Sequence, residues 1–141
     1  MENGAATLPE GYRLTDDLAE MDVEAISAFV RRSYWGEGRP QDGVLRSFEA
    51  SVCVGVLEGD EQAAFARGVS DGEFFGWLAD VIVWPEHRGQ GLGVAVVDAL
   101  LSHPRLARVQ RWILATRDAH GLYERFGFER SVNGNLMNLR R

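Results

Sequence analysis

The chain is poor in cysteine. Of its 141 residues only Cys53 carries a thiol, so no internal disulfide framework is available. That residue sits in SVCVGVLEG (residues 51–59), an apolar strand-like run in which a thiol serves as a small buried hydrophobe. Basic runs are missing too, and the formal net charge is −6, which argues against nucleic acid as a partner. No apolar run reaches the length of a membrane span, so no membrane partner is expected. The opening MENGAATLPEG (residues 1–11) lacks the basic-then-apolar order of a secretory leader, and a cytoplasmic location is the expectation. Internal repeats, low-complexity tracts and linkers are absent. The three histidines, His87, His103 and His120, have no ligand spacing, so no metal is expected.

The residues that are present suit a soluble globular chain, with 45% apolar and 26% charged. Residues 1–11 read as a loose segment and 12–141 as one domain. YRLTDD (12–17) reads as a strand. DVEAISAFVRRSYW (22–35) sets Val23, Ile26, Phe29 and Val30 at spacings of three and four, which predicts an amphipathic helix starting near Asp22. GEGRPQDG (36–43) reads as a loop and VLRSFEAS (44–51) as a short helix.

Three strands follow in residues 51–59, in QAAFARGVS (62–70) and in EFFGWLADVIVW (73–84). The GD and DG turn signals between them predict two adjacent antiparallel hairpins. LGVAVVDALLSH (92–103) carries one charge, Asp98, which predicts a helix covered on most of its surface. VQRWILAT (109–116) reads as a buried strand. DAHGLYERF (118–126) reads as a helix capped by Asp118 and stopped by Gly127. FERS and NLMNLRR read as a final hairpin around Asn133 and Gly134. The sum is an α/β (α+β) fold: a mostly antiparallel mixed sheet of about six to seven strands flanked by about four helices.

WPEHRGQGLG (84–93) stands out because glycine at a helix entrance costs conformational entropy. A helix start exposes unpaired N–H groups and a partial positive charge that phosphate oxygens can use. Glycine lets such an anion approach bare backbone, and Arg88 adds a forked charge. The even spacing of Gly89, Gly91 and Gly93 does not fit a dinucleotide GxGxxG, and no Gly-Lys-Ser/Thr of a P-loop follows. A tight strand-to-helix turn with no ligand is the plainer alternative.

Arg88-Gly89-Gln90-Gly91-Leu92-Gly93 resembles the acetyl-CoA signature of the GCN5-related N-acetyltransferases. In that signature Gln or Arg is followed by two residues, Gly, one residue, and Gly or Ala. HGLYERFGF (120–128) is similar to a second segment of the same family, and the element order agrees from about Tyr12 onward. The resemblance implies that acetyl-CoA is the co-substrate and that backbone groups of Val81, Ile82 and Val83 line its pantetheine arm. It implies that Arg88, Gly89, Gln90, Gly91, Leu92 and Gly93 hold the pyrophosphate, and that Tyr123 protonates the departing thiolate. Many members carry asparagine where this chain has Thr116, whose hydroxyl has a shorter reach to the arm. Family members are commonly dimers, and the aromatic third strand offers a surface for a homodimer.

Acetyl transfer to an amine needs a neutral nucleophile, and an alkyl amine titrates near lysine, at about 10.4. It also needs donors for the oxyanion, which backbone N–H groups around ADVIV can supply. Asp80, a carboxylate in an apolar strand, is a candidate base acting through water, or a counter-charge for the amine; pairing with Arg67 is the structural alternative. Glu73, at the start of the same strand, is a second candidate, with a solvated turn position as its alternative. His120 shares a helix face with Tyr123 and is a candidate to assist proton transfer. Arg67 either pairs with Asp80 or meets an acidic part of the acceptor. Tyr34 and Trp35, with Arg39 nearby, concentrate in an irregular segment and read as a wall of the acceptor pocket. The expected acceptor is a small-molecule primary amine. The competing reading is an acyl-CoA-binding module without catalysis, which needs only the glycine loop and its strand.

Overall fold

The computed structural model describes residues 7–131 and 134–140. Strand β1 (Tyr12–Thr15) leads through a 3-10 turn (Leu18–Glu20) into α1 (Val23–Arg32) and α2 (Gln41–Glu49). Three strands follow: β2 (Val52–Glu58), β3 (Glu61–Ser70) and β4 (Phe75–Val83). A second 3-10 turn (Pro85–His87), α3 (Leu92–Leu101), β5 (Arg111–Ile113) and α4 (His120–Glu124) complete the regular elements.

The sheet order is β1-β2-β3-β4-β5, antiparallel except for the parallel β4–β5 pair that α3 connects. Helices cover both faces. On one, α1 and α2 bring Ile26, Val30, Val44 and Phe48 onto Cys53, Phe65 and Ile82. On the other, Leu92, Val96, Val97 and Leu100 of α3 meet Val52, Val54, Val56, Ala64 and Ala66. Coverage on both faces explains why β2 and β3 are apolar in succession rather than alternating. Phe48 and Phe65 meet at 5.1 Å between ring centroids, and burying each ring contributes roughly 1.5–3 kcal/mol.

Local sequence sets the element ends. Asp22 caps α1 by accepting from the Ala25 amide at 3.0 Å, typically worth about 1 kcal/mol. α2 begins at Gln41, inside the segment read as loop, because Gly43 hides its first turn from the apolar pattern. α4 is capped at Ala119 rather than Asp118, and Gly127 follows it with φ +92°.

The sheet has five strands, fewer than the six to seven expected. Residues 128–131 and 134–140 form no strand, and Asn133 lies outside the described residues. The reason is physical: Glu129 and Arg130 are exposed, as are Leu136, Met137 and Leu139, so the segment buries no alternating face. Among the described residues no helix is long and apolar enough to cross a membrane.

β4 has two irregularities. Phe65 pairs with Ile82 and Arg67 with Ala79, so β4 carries an extra residue at Asp80–Val81. This is a bulge, and Asp80 takes φ +52°, the one positive φ among the described non-glycine residues. The pairing of β4 with β5 covers only Phe75, Gly76 and Trp77. Past Trp77 the two parallel strands part, and among the described residues the second half of β4 has no strand partner on that side. A Cβ on Gly76 would stand 2.7 Å from the ring of Trp112 on β5, so the ring lies against bare backbone next to where the strands part.

Candidate active site

The turn Pro85–His87 delivers the chain from β4 to the glycine loop. Gly89 and Gly91 hold φ of +80° and +82°, and Gly91 is the N-cap of α3. That left-handed cap turns the following amides outward, a conformation most side chains adopt only at a cost. The first helical hydrogen bond runs from Ala95 N to Gly91 O at 3.1 Å. Among the described residues, no amide of residues 89–94 donates to a protein acceptor. A Cβ at Gly89 or Gly91 would meet nothing within 4 Å, so the loop is open to solvent. Arg88 is exposed and its Nε donates to the Val83 carbonyl at 3.1 Å. The arrangement sets open amides at a helix entrance, a geometry that suits an anion, beside a stretch of β4 (Val81, Ile82 and Val83) that has no β5 partner among the described residues.

Gln90 and Leu92 turn away from that opening. Gln90 Nε2 donates to the Tyr12 hydroxyl at 2.9 Å, and Leu92 is buried in the core. Gly93 packs against Leu122 and Val83, which seats the start of α3 on α4 and β4.

At the bulge, Asp80 is buried and its oxygens are taken. Trp35 Nε1 donates to Oδ1 at 2.8 Å, Arg67 Nε donates to Oδ2 at 2.5 Å, and Arg39 lies 3.5 Å from Oδ1. Arg67 also donates to Ser51 Oγ at 3.1 Å. One carboxylate therefore stands between two guanidinium groups, and the cluster is net positive. The pairing of Arg67 with Asp80 was one of the two alternatives open in the sequence, and it is the one found.

Tyr34 bridges from the same loop to the far side of the parted strands. Its hydroxyl accepts from the Arg117 amide at 3.0 Å, and the Arg117 guanidinium lies 3.8 Å from its ring centroid. Tyr34 and Trp35 meet edge to face at 5.2 Å. Tyr123 on α4 is buried in the core against Phe128. Burial pushes its phenol up to about 12, with Tyr34 and Asp118 adding to the effect. Thr116 Oγ1 accepts from Ala119 N at 3.1 Å and so caps the entry to α4.

The structure thus gathers Trp35, Arg67 and Asp80, and links Tyr34 to the Thr116–Tyr123 segment, with His120 one turn before Tyr123. Glu73 is not gathered. It lies in the turn before β4, where its amide donates to Asp71 Oδ1 at 2.9 Å, with residues 75–79 of the strand between it and Asp80, and its side chain pairs with Arg108 at 2.7 Å. Arg117 and Ser51 join the site without having stood out in the sequence, where they are isolated polar residues with no spacing signal. A cavity of about 970 Å³ lies between β5, α4 and the C-terminal segment. Thr116, His120 and Tyr123 line it, and the glycine loop does not.

The comparisons with known proteins point one way. Residues 21–128 match the acetyltransferase (GNAT) family. A Gibberella zeae protein named as an acetyltransferase, FG08082, is 29% identical over 133 positions, covering 77% of this chain and 74% of that one. A crystal structure of a GNAT-family protein from Xanthomonas campestris superposes with a TM-score of 0.88 at 36% identity, covering 96% of each chain. A Clostridium acetobutylicum structure, solved with acetyl-CoA, shares the fold at a TM-score of 0.70 and 17% identity, covering 92% of this chain and 94% of that one. With its glycine-entered helix, its bulged fourth strand and its parted parallel pair, the chain belongs to the acetyltransferase (GNAT) family.

Proposed function

We propose that this protein transfers the acetyl group of acetyl-CoA to a primary amine of a small molecule, by direct attack while both substrates are bound. The observation that carries the reading is the run of unpartnered amides over residues 89–94, in line with the unpaired edge of β4. The amides and Arg88 suit a pyrophosphate, and the edge suits the amide-bearing pantetheine arm, which can pair with it as a strand would. That path leads from the glycine loop toward the bulge at Asp80.

Tyr123 is the proposed acid. Its phenol stays protonated at neutral pH because burial holds its pKa up. A thiolate leaving at about 8.5 is a weaker base than such a phenolate, so the main contribution is a hydrogen bond that strengthens as charge grows on sulfur. Asp80 is proposed to fix the acceptor wall, since Trp35 and Arg67 already occupy its two oxygens. The amine then loses its proton to water, since Asp80 is already paired with Arg67 and Arg39. Tyr34 and Trp35 supply the wall, and His120 lies one helical turn from the phenol.

The test is an amine panel with detection of released CoA thiol, run beside Tyr123→Phe. The expected result is turnover for at least one amine, a loss of more than tenfold in Tyr123→Phe, and CoA affinity within twofold of the parent. CoA binding without turnover on any amine would favour the non-catalytic module instead.

A further inference from the structure

Behind the glycine loop, three strands and a turn meet. Tyr12 of β1 pairs with Glu58 of β2, and Glu58 pairs with Glu61 of β3 across a tight turn. His87 closes the 3-10 turn directly before Arg88 and lies over these residues. It is 4% exposed. Its Nδ1 is 2.8 Å from the Tyr12 hydroxyl, and its Nε2 has no hydrogen-bond partner among the described residues. Nε2 stands 3.6 Å from Glu61 Oε2, and Nδ1 stands 3.7 Å from Glu58 Oε1. One donor atom from each of the three residues falls within 4.8 Å of the others.

A buried imidazole nitrogen without a partner has a desolvation cost that something should offset. Two carboxylates paired across a turn repel, and among the described residues His87 is the one side chain in ion-pair contact with either. A divalent cation relieves both. Ligands about 2.0–2.1 Å from a tetrahedral metal lie about 3.4 Å apart. Glu61 Oε2, at 3.6 Å from Nε2, needs little closure. Glu58 approaches the ring at Nδ1 and must swing toward Nε2, which its half-exposed side chain leaves room to do. One imidazole and two carboxylates, with the remaining positions left to water, suit zinc and its first-row neighbours better than calcium, which takes more oxygen ligands. If Nδ1–H donates to Tyr12, the Nε2 lone pair is free, and Tyr12 becomes the outer-shell partner that holds the tautomer. The Tyr12 oxygen can accept from His87 and from Gln90 together.

We propose that Glu58, Glu61 and His87 form a site for a divalent transition-metal ion, tied through Tyr12 to Gln90 of the glycine loop. The site is separate from the acetyl-transfer machinery and stands or falls independently of it.

The experiment is calorimetric titration of zinc chloride into chelator-treated, tag-free protein, repeated on Glu58→Gln, Glu61→Gln and the double variant. Both glutamates are about half exposed or more, so these variants fold. The expected result is one ion per chain with micromolar or tighter affinity, weakened at least tenfold by either substitution and lost in the double variant. A zinc-induced rise in melting temperature should vanish in parallel. No saturable binding overturns the proposal. Binding unchanged in the double variant overturns it too, since the ion then sits elsewhere, for example at the His103–Asp16 contact.

Discussion

Trp35 Nε1 donates to Asp80 Oδ1 across 2.8 Å, fastening the loop after α1 to the bulge of β4. Arg67 completes the clasp from the other oxygen. The loop after α1 is therefore held to β4 by a buried carboxylate in addition to the apolar packing of Trp35. Asp80→Asn keeps an acceptor for Trp35 and a residue type that tolerates positive φ, but leaves the nearly buried Arg67 charge uncompensated. The expected loss of stability is about 3–5 kcal/mol. Urea unfolding measures it, and a loss under about 1 kcal/mol would contradict the clasp. Adding Arg67→Met should recover much of the loss.

Arg88→Glu tests the anion cradle. Arg88 is exposed and its side chain bonds to a backbone carbonyl, so folding should be little affected. CoA affinity should fall more than tenfold by calorimetry while the melting temperature stays within a degree or two. Equal affinity in parent and variant would remove Arg88 from the site.

Tyr123 makes a pH prediction. Its phenol titrates at about 12 in the folded chain and at about 10 when unfolded, so the native state holds the proton more tightly. Its contribution to stability is intact below about pH 10 and is lost as pH rises from there toward about 12. Tyr123→Phe lacks this dependence. The stability difference between parent and variant should shift against the parent across that window, and parallel curves would show that burial does not govern the phenol.

Cys53 should be silent. Burial pushes its thiol up to about 12, and Sγ donates to the Phe48 carbonyl at 3.3 Å. At pH 8 a disulfide-exchange reagent should label less than a tenth of the chains when folded and all of them in denaturant. Rapid labelling of the native protein would refute this, and would also compromise thiol-release assays on it.

Gly76→Ala should disturb the parting of β4 and β5. The added methyl would stand 2.7 Å from the Trp112 ring. Overpacking of this kind costs about 1–3 kcal/mol. Trp112→Leu in the same chain should relieve part of it, and thermal melts of the two variants decide the matter.

The central strands, both hairpins and the covered helix α3 were legible in the sequence, because each is long and its apolar pattern is dictated by burial on known faces. So was the glycine loop, because positive φ at Gly89 and Gly91 leaves only glycine comfortable there. The end of the chain was overstated, since residues 129–131 and 134–140 are exposed and bury no alternating face. Within the candidate site, Asp80 was visible as a charge among apolar neighbours, but its partner was not. The choice turned on the register of β3 against β4, and a bulge shifts that register at Arg67. The Glu58–Glu61–His87 cluster was invisible for a related reason. Histidine spacing along the chain says nothing about a hairpin end and a turn brought together across the sheet.

The parted strands leave this sheet incomplete on its working side. Among the described residues β4 past Trp77 has no strand partner on that side, leaving a gap where a polypeptide neighbour would ordinarily lie, with the Val83 carbonyl accepting from the Arg88 side chain. An amide-bearing ligand laid in that gap acts as a missing strand, knitting the two halves into one continuous ladder. The unliganded protein is then the looser object: amide hydrogens of Val81 and Val83 should exchange readily in its absence and become protected once the gap is filled.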